Sequence, residues 1–331
     1  MKKQINILKL VYPPISNQEA EWFKNDPEVA EVLRESNLYM IVQRHESKFH
    51  ILNEDDMEKD LRDNFLLRFK FTIGDLTDDV EINLNKLIEA HGINFNDYDF
   101  DFELGPKQIR IWISTSDSDE KRVLDWFTTE KILWDKWRGH PAIFGLTNFR
   151  KFSQYYLHYV GISTKEDSLT RLVVKPHDKR LRILSNEFPV SIGSRLTDEV
   201  ILLFFKIEPL EIQVYDENDD INNFIYGMRI DKSKIIADAE RAFIKIMDST
   251  YNAQKYNNYP QGKGLLNDQN LTRYGYIIGE SMTLVTDTEE IIGDYVSKYH
   301  WAELADMILI EDENVELIKA ENLKYSNLYR K

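Results

Sequence analysis

The chain has 331 residues, 42% of them hydrophobic and 12% aromatic, enough for two or three globular domains with real cores. Acidic side chains outnumber basic ones 57 to 42, a balance that argues against general binding to nucleic acid. Cysteine is absent, which excludes disulfides and thiolate metal sites and fits a reducing compartment. The opening MKKQINILKLVYPP has an apolar run too short and interrupted for a signal peptide, and no stretch approaches the roughly 18 apolar residues of a membrane span. The expected location is therefore cytoplasmic, with no membrane partner.

In chain order, Ser16 is placed to cap a helix through Glu21 to Glu31 with an interruption near Pro27. Residues 38–42, 65–71 and 109–114 have the β-branched and aromatic content of strands. The segment NDYDFDFELG, with Asp97, Asp99, Asp101 and Glu103 on alternate positions, is not a calcium loop. Phe102 stands at the sixth position instead of glycine, and Gln108 at the twelfth instead of glutamate. Its alternation predicts a half-buried strand. An aromatic-rich helix is expected over 118–137, then a short strand at 141–146. Residues 156–163, YLHYVGIS, read as a buried strand ending in a glycine turn, and 200–205, VILLFF, as a central strand covered on both faces. A Tyr/Asn/Gly/Pro-rich loop spans 256–264, and strands around a helix are expected within 274–286 and 307–317. The fold class is α+β, with expected domains at 1–118, 119–256 and 257–331.

The most informative helix is 239–252. Ile236, Ala237, Phe243, Ile244 and Met247 lie three, four or seven positions from Glu240, so this carboxylate falls on the apolar stripe. An ionised carboxylate there requires a cation, a donor or a polar cleft. A Tyr251-Asn252 pair stands where the helix should end.

Taken in order, Tyr159-Val160-Gly161, the downstream Arg171-Leu172, the helical Glu240 and the Tyr251-Asn252 pair resemble the GIY-YIG nuclease domain over roughly residues 138–256. The resemblance implies a small mixed sheet with helices, flanked by accessory regions at both ends. It implies that Tyr159 places a phenol near an attacking water and that Arg171 clamps the scissile phosphate. By the same resemblance Glu240 ligates one Mg²⁺ (or Mn²⁺) ion, Asn252 bonds the helix end and His177 carries a proton. The preceding GIY-type strand is assigned to 141–146, which places Phe144 where the family has a tyrosine and makes Tyr155 or Tyr156 the candidate source of the missing hydroxyl. Phe144 and Tyr159 are accordingly expected on adjacent antiparallel strands.

Charge supplies a separate argument. Between Lys131 and Asn186 eleven basic residues face only four acidic ones, against the trend of the chain. Lys151, Lys175, Lys179, Arg180 and Arg182 are the expected phosphate contacts of this island. The expected function is a metal-dependent endonuclease acting on nucleic acid, DNA in the first place, in restriction, defence or mobile-element biology, with the acidic flanks open to a protein partner. Two alternatives stand beside it: a catalytically degenerate module of the same fold that binds nucleic acid or protein, and an acidic inhibitor of a DNA-binding protein.

Overall fold

A computed structural model describes residues 2–51, 54–115, 118–213, 231–262, 264–266, 271 and 273–322. The protein is α+β, with one large mixed sheet and two smaller sheets. It divides into two compact units: the first comprises Met1–Arg44, Gln154–Phe188 and Leu196–Lys331, the second His45–Ser153 and Pro189–Arg195. The expected divisions after residues 118 and 256 do not coincide with this partition. The reason is long-range strand pairing, which gathers segments from both ends of the chain into the first unit and leaves the second as an insertion in its sequence.

Within the first unit the strand order is Glu290–Ile292, Thr283–Val285, Gln154–Ile162, Leu38–Gln43, Val200–Gln213, Lys2–Leu10, Arg273–Ile278, Met307–Glu311 and Asn314–Ile318, with Ile15–Ser16 added beside Val200–Gln213. Leu38–Gln43 is buried at every position, as a strand hydrogen-bonded on both edges and covered on both faces must be. Its antiparallel neighbours are Gln154–Ile162, with Gly161 opposite Tyr39, and Val200–Gln213, with Phe204 opposite Tyr39. The apolar run 200–205 is thus an interior strand, as its composition predicts. Side chains at alternate positions 39 and 41 join one core cluster with Ile15, Ala20, Leu33, Leu172 and Ile183.

The Glu240 helix runs Lys232–Met247, capped at its start by the Asp231 side chain and stopped by Asp248 in the left-handed conformation (φ 47°). Chain beyond Asp248 is therefore no longer helical, and Tyr251 and Asn252 sit in the following turn instead of at the expected helix end. The helix packs on the Gln154–Ile162 strand. Asp238 fastens it to the other side of the unit. Its buried carboxylate accepts hydrogen bonds from Tyr259 Oη (2.5 Å), Tyr276 Oη (2.7 Å), Tyr274 Oη (3.2 Å) and the Leu266 N–H (3.0 Å). Burial pushes this carboxyl up, and the phenol donors work against that shift. Asp238→Asn keeps the volume but turns one acceptor into a donor facing hydroxyl groups. It is expected to cost about 2–4 kcal/mol, measured by urea denaturation, because buried bonds to a charged acceptor are worth about 1.5–3 kcal/mol each. A change below about 0.5 kcal/mol would show that the tyrosines repartner freely.

The second unit holds a four-stranded antiparallel sheet, in the order Ile143–Gly145, Leu76–Asn83, Leu66–Ile73 and Ser47–Ile51, and a three-stranded one formed by Asp99–Leu104, Gln108–Thr115 and Ser118–Thr128. In the Asp99–Leu104 strand the acidic positions are exposed and the alternate ones half-buried, as the period-two pattern predicts. The helix expected over 118–137 is corrected to a strand through Thr128 and a helix Thr129–Trp137, whose first turn is capped by the Thr128 hydroxyl. Cross-strand pairing with Gln108–Thr115 outweighs the helical reading of that aromatic-rich stretch. Among the described residues no helix is long and apolar enough to cross a membrane.

Candidate active site

The strand beside Tyr159-Val160-Gly161 carries a tyrosine, but it is Tyr39 in Asn37-Leu38-Tyr39. Phe144 instead pairs with Glu81 inside the second unit, which overturns its assignment to the motif and its expected adjacency to Tyr159. Tyr155 and Tyr156 lie on the same strand as Tyr159, not on its neighbour. Tyr155 is buried beneath the Arg44 guanidinium, 4.9 Å from its ring centre. Sequence patterns do not point to this neighbouring strand because the whole second unit separates it from Tyr159 along the chain.

Gly161 shows why the strand ends as it does. A Cβ at this position would lie 2.7 Å from Cζ of Tyr39 and 2.6 Å from Cε1 of Tyr159, so only glycine lets both rings cross it. The rings meet at 6.2 Å between centres, and His177 stands edge-on to both at 5.7 Å.

The Tyr39 hydroxyl is the hub. Arg171 Nε donates to it at 3.1 Å, and His177 Nε2 lies 3.0 Å away. The tautomer follows from the other ring nitrogen: His177 Nδ1 accepts from the Arg180 N–H at 3.2 Å, capping the helix Asp178–Asn186, so the ring hydrogen sits on Nε2 and points at Tyr39. Two nitrogen donors thus converge on one buried phenolic oxygen, which the Tyr159 hydroxyl also meets. Burial raises the Tyr39 phenol, while the Arg171 bond and charge and the Tyr159 hydroxyl pull it down. Burial likewise raises Tyr159, with the neighbouring Tyr39 and Glu240 adding to the effect. Burial and the cations Arg171 and Arg180 hold His177 near 4, so it is neutral at physiological pH. The expected proton carrier is therefore a fixed donor instead, with both nitrogens engaged.

Glu240 lies half-buried on its helix, within electrostatic reach of Tyr39, Tyr159 and Arg171. Burial pushes its carboxyl up to about 7, opposed by Arg241 and Arg171. Asn252 does not bond the helix end as expected. Its carboxamide grips the backbone of Val160 from both sides, accepting from Val160 N at 2.9 Å and donating to Val160 O at 2.8 Å, while Ser249 Oγ donates to the same carboxamide oxygen at 2.7 Å. Next to a bulge between Leu157 and Tyr159, this clamp fixes the strand segment that presents Tyr159. Tyr159, Arg171 and His177 gather around Tyr39 in the first unit, with Glu240 within electrostatic reach and Asn252 holding the backbone next to Tyr159.

The basic island divides. Lys131, Lys136, Arg138, Arg150 and Lys151 belong to the second unit, and the remaining six residues to the first. Arg180 is only 8% exposed and is tied to Asn17 Oδ1 (2.6 Å), Glu21 Oε1 (3.0 Å) and Leu172 O (3.3 Å), a structural role that removes it from the phosphate contacts. Lys175 pairs with Glu166, Arg182 is exposed and Lys179 is half-buried. Among the described residues no group of three or more His, Asp or Glu is arranged to hold a metal ion. A single carboxylate held near 7 suits only a hard cation that keeps most of its ligands as water and substrate oxygens.

No family model matches this chain, and neither the curated proteins nor the solved structures contain a significant match.

Proposed function

We propose that the protein is a GIY-YIG-like endonuclease that hydrolyses phosphodiester bonds of nucleic acid, DNA in the first place, with Mg²⁺ or Mn²⁺. The reading rests above all on the convergence of Arg171 and His177 on the Tyr39 hydroxyl, beside Tyr159 and within reach of Glu240. In this reading the first motif strand is Asn37-Leu38-Tyr39 and the second unit is an insertion in the nuclease sequence.

The chemistry follows from the residues present. Arg171 and His177 donate to the Tyr39 oxygen and favour its phenolate against the upward pull of burial, so in this reading Tyr39 first releases its own proton to solvent and then, as the phenolate, takes one from the attacking water. Tyr159 orients that water from the adjacent strand. The exposed Arg171 guanidinium has donors beyond Nε, which meet the phosphate and its developing charge. Glu240 holds the cation, which supplies Lewis-acid stabilisation of the departing oxygen when bound. Lys175, Lys179 and Arg182 are the remaining candidates for backbone phosphates in the same unit. Tyr39 on the strand beside Tyr159 supports this reading over a non-catalytic relic, for which Phe144 at the motif position is the ground.

Incubation of the purified protein with supercoiled plasmid and with single-stranded DNA and RNA tests the proposal. Nicked or shortened product is expected with Mg²⁺ and none with EDTA. Intact substrates under Mg²⁺ and Mn²⁺ alike, or equal cleavage in EDTA, would overturn it.

A further inference from the structure

Next to Glu240 the chain builds a second feature that the proposed catalysis does not use. A pocket of about 450 Å³ opens between Arg241 and the loop after the helix, lined by Gln254, Tyr256, Asn257, Asn258 and Gln261. Its size falls within the roughly 300–1,000 Å³ of small-ligand sites. The lining is one guanidinium, four carboxamides and two tyrosines, Tyr256 and Tyr259, with no acidic side chain. Lys255 also lines it, but its ammonium caps the preceding helix through Asp248 O (3.1 Å) and Ser249 O (2.7 Å).

The walls are preorganised. Arg241 lies over the Tyr256 ring at 5.1 Å, and Tyr256 is held in the left-handed region at φ 49°, where a non-glycine residue is uncommon. A Cβ at Gly262 would come within 2.8 Å of an Arg241 guanidinium nitrogen, so the glycine leaves room for that group to seat. Backbone bonds from Tyr259 N to Tyr256 O and from Gln261 N to Asn258 O, both 2.9 Å, close the loop into consecutive turns. Lys245 Nζ braces it at Asn257 O, 3.3 Å away. The pocket also borders the site: Arg241 follows Glu240 directly and opposes its upward shift, and the Glu240 charge acts on Tyr256.

A guanidinium suits a phosphate, and carboxamides suit the donor and acceptor edge of a nucleobase. A base inside a duplex spends that edge on its partner, whereas an unpaired or extruded one can present it to these carboxamides. We propose that this pocket is a nucleotide subsite that takes one unpaired nucleotide flanking the scissile bond, its phosphate on Arg241 and its base edge on the Asn and Gln side chains. The placement relative to a scissile bond rests on the nuclease reading above; nucleotide binding in the pocket does not. The protein then acts on nucleic acid with a single-stranded, flapped or mispaired position in preference to continuous duplex.

Two measurements test this separately. Binding of thymidine 5′-monophosphate is followed by NMR titration in EDTA, where no cleavage occurs. Wild type is expected to bind, with affinity falling about tenfold or more in Arg241→Ala and in Asn257→Ala, the second variant lying outside the catalytic helix. Thymidine without its phosphate should lose little from Arg241→Ala. Cleavage with Mg²⁺ is then compared on a paired duplex and on the same duplex carrying one unpaired nucleotide, with a preference of about tenfold or more expected in wild type and lost in Asn257→Ala. Failure of wild type to bind the monophosphate, or binding unaffected by both variants, would overturn the subsite. Cleavage without discrimination between the two duplexes would overturn its placement beside the scissile bond while the nuclease reading stands. Binding that both variants weaken, in a protein that cleaves nothing, would support the pocket while the nuclease reading falls.

Discussion

Glu240→Gln is expected to abolish cleavage, by about 10³-fold or more, while the protein remains folded. Gln conserves volume and helix propensity but removes the carboxylate that would hold the cation in the proposed site. Stability adds a second readout with a defined sign. The folded carboxyl titrates near 7, above its ordinary 4.5, so the folded state prefers the protonated form. The stability contribution of protonated Glu240 is complete below pH 4.5 and is lost as pH rises through 7. The Gln variant carries no such loss. It should match wild type near pH 4 and exceed it at pH 8, by up to about 3 kcal/mol, since each tenfold difference in proton affinity between the folded and unfolded chain is worth roughly 1.4 kcal/mol. At pH 8, Mg²⁺ should raise the melting temperature of wild type and leave the variant unmoved, because only a group that binds the ion when folded couples to it. Equal cleavage by the two proteins, or equal Mg²⁺ shifts, would remove Glu240 from the metal site.

Tyr39→Phe is the second large effect expected, a fall of about 10²–10⁴ in cleavage rate, the usual range for loss of a positioned acid or base. The ring stays, so its packing over Gly161 and in the core cluster is retained. The hydroxyl goes, and with it the shared acceptor of Arg171 and His177. Stranding two donors is expected to cost about 1–3 kcal/mol in chemical denaturation. Phe144→Tyr supplies the contrast: it should leave cleavage within about twofold, since Phe144 belongs to a strand of the second unit. A Tyr39→Phe protein that cleaves at the wild-type rate would shift the base to Tyr159 or to water.

Much of the candidate site is legible in the sequence because its signals are local. The Tyr159-Val160-Gly161 strand end, Arg171 a short loop later and Glu240 on an apolar helical stripe are patterns within a few turns of chain, where side-chain period and backbone preference act directly. The strand at 200–205 is equally plain, since a continuous apolar run suits a strand covered on both faces. Two side chains mislead for the opposite reason. Arg180 has the appearance of a surface cation, yet Asn17 and Glu21, from a distant helix, receive its guanidinium. His177 has an ordinary imidazole, yet burial and two neighbouring cations keep it neutral. Desolvation and charge proximity depend on what packs nearby, and neither is visible from adjacent residues.

The identity of the partner strand lies at the far end of this scale. Both 38–42 and 141–146 read as short apolar strands, and the nearer one is favoured from sequence because the resembled family joins this strand to the next by a short hairpin. Hydrogen bonding decides otherwise. Leu38–Gln43 pairs on one edge with Gln154–Ile162 and on the other with Val200–Gln213, which buries all six of its residues, whereas Ile143–Gly145 pairs with Leu76–Asn83 and leaves Phe144 exposed at 41%. Asp238 follows the same rule: one acidic residue in a helix gives no hint that three phenols from beyond the helix will meet it. Element type, the helical stripe and the residues able to do chemistry follow from interactions between neighbours in the chain. Which tyrosine faces Tyr159, which cation is buried and where each proton resides follow from contacts between distant segments, whose loop-closure cost and burial gain are settled only when the sheet is assembled.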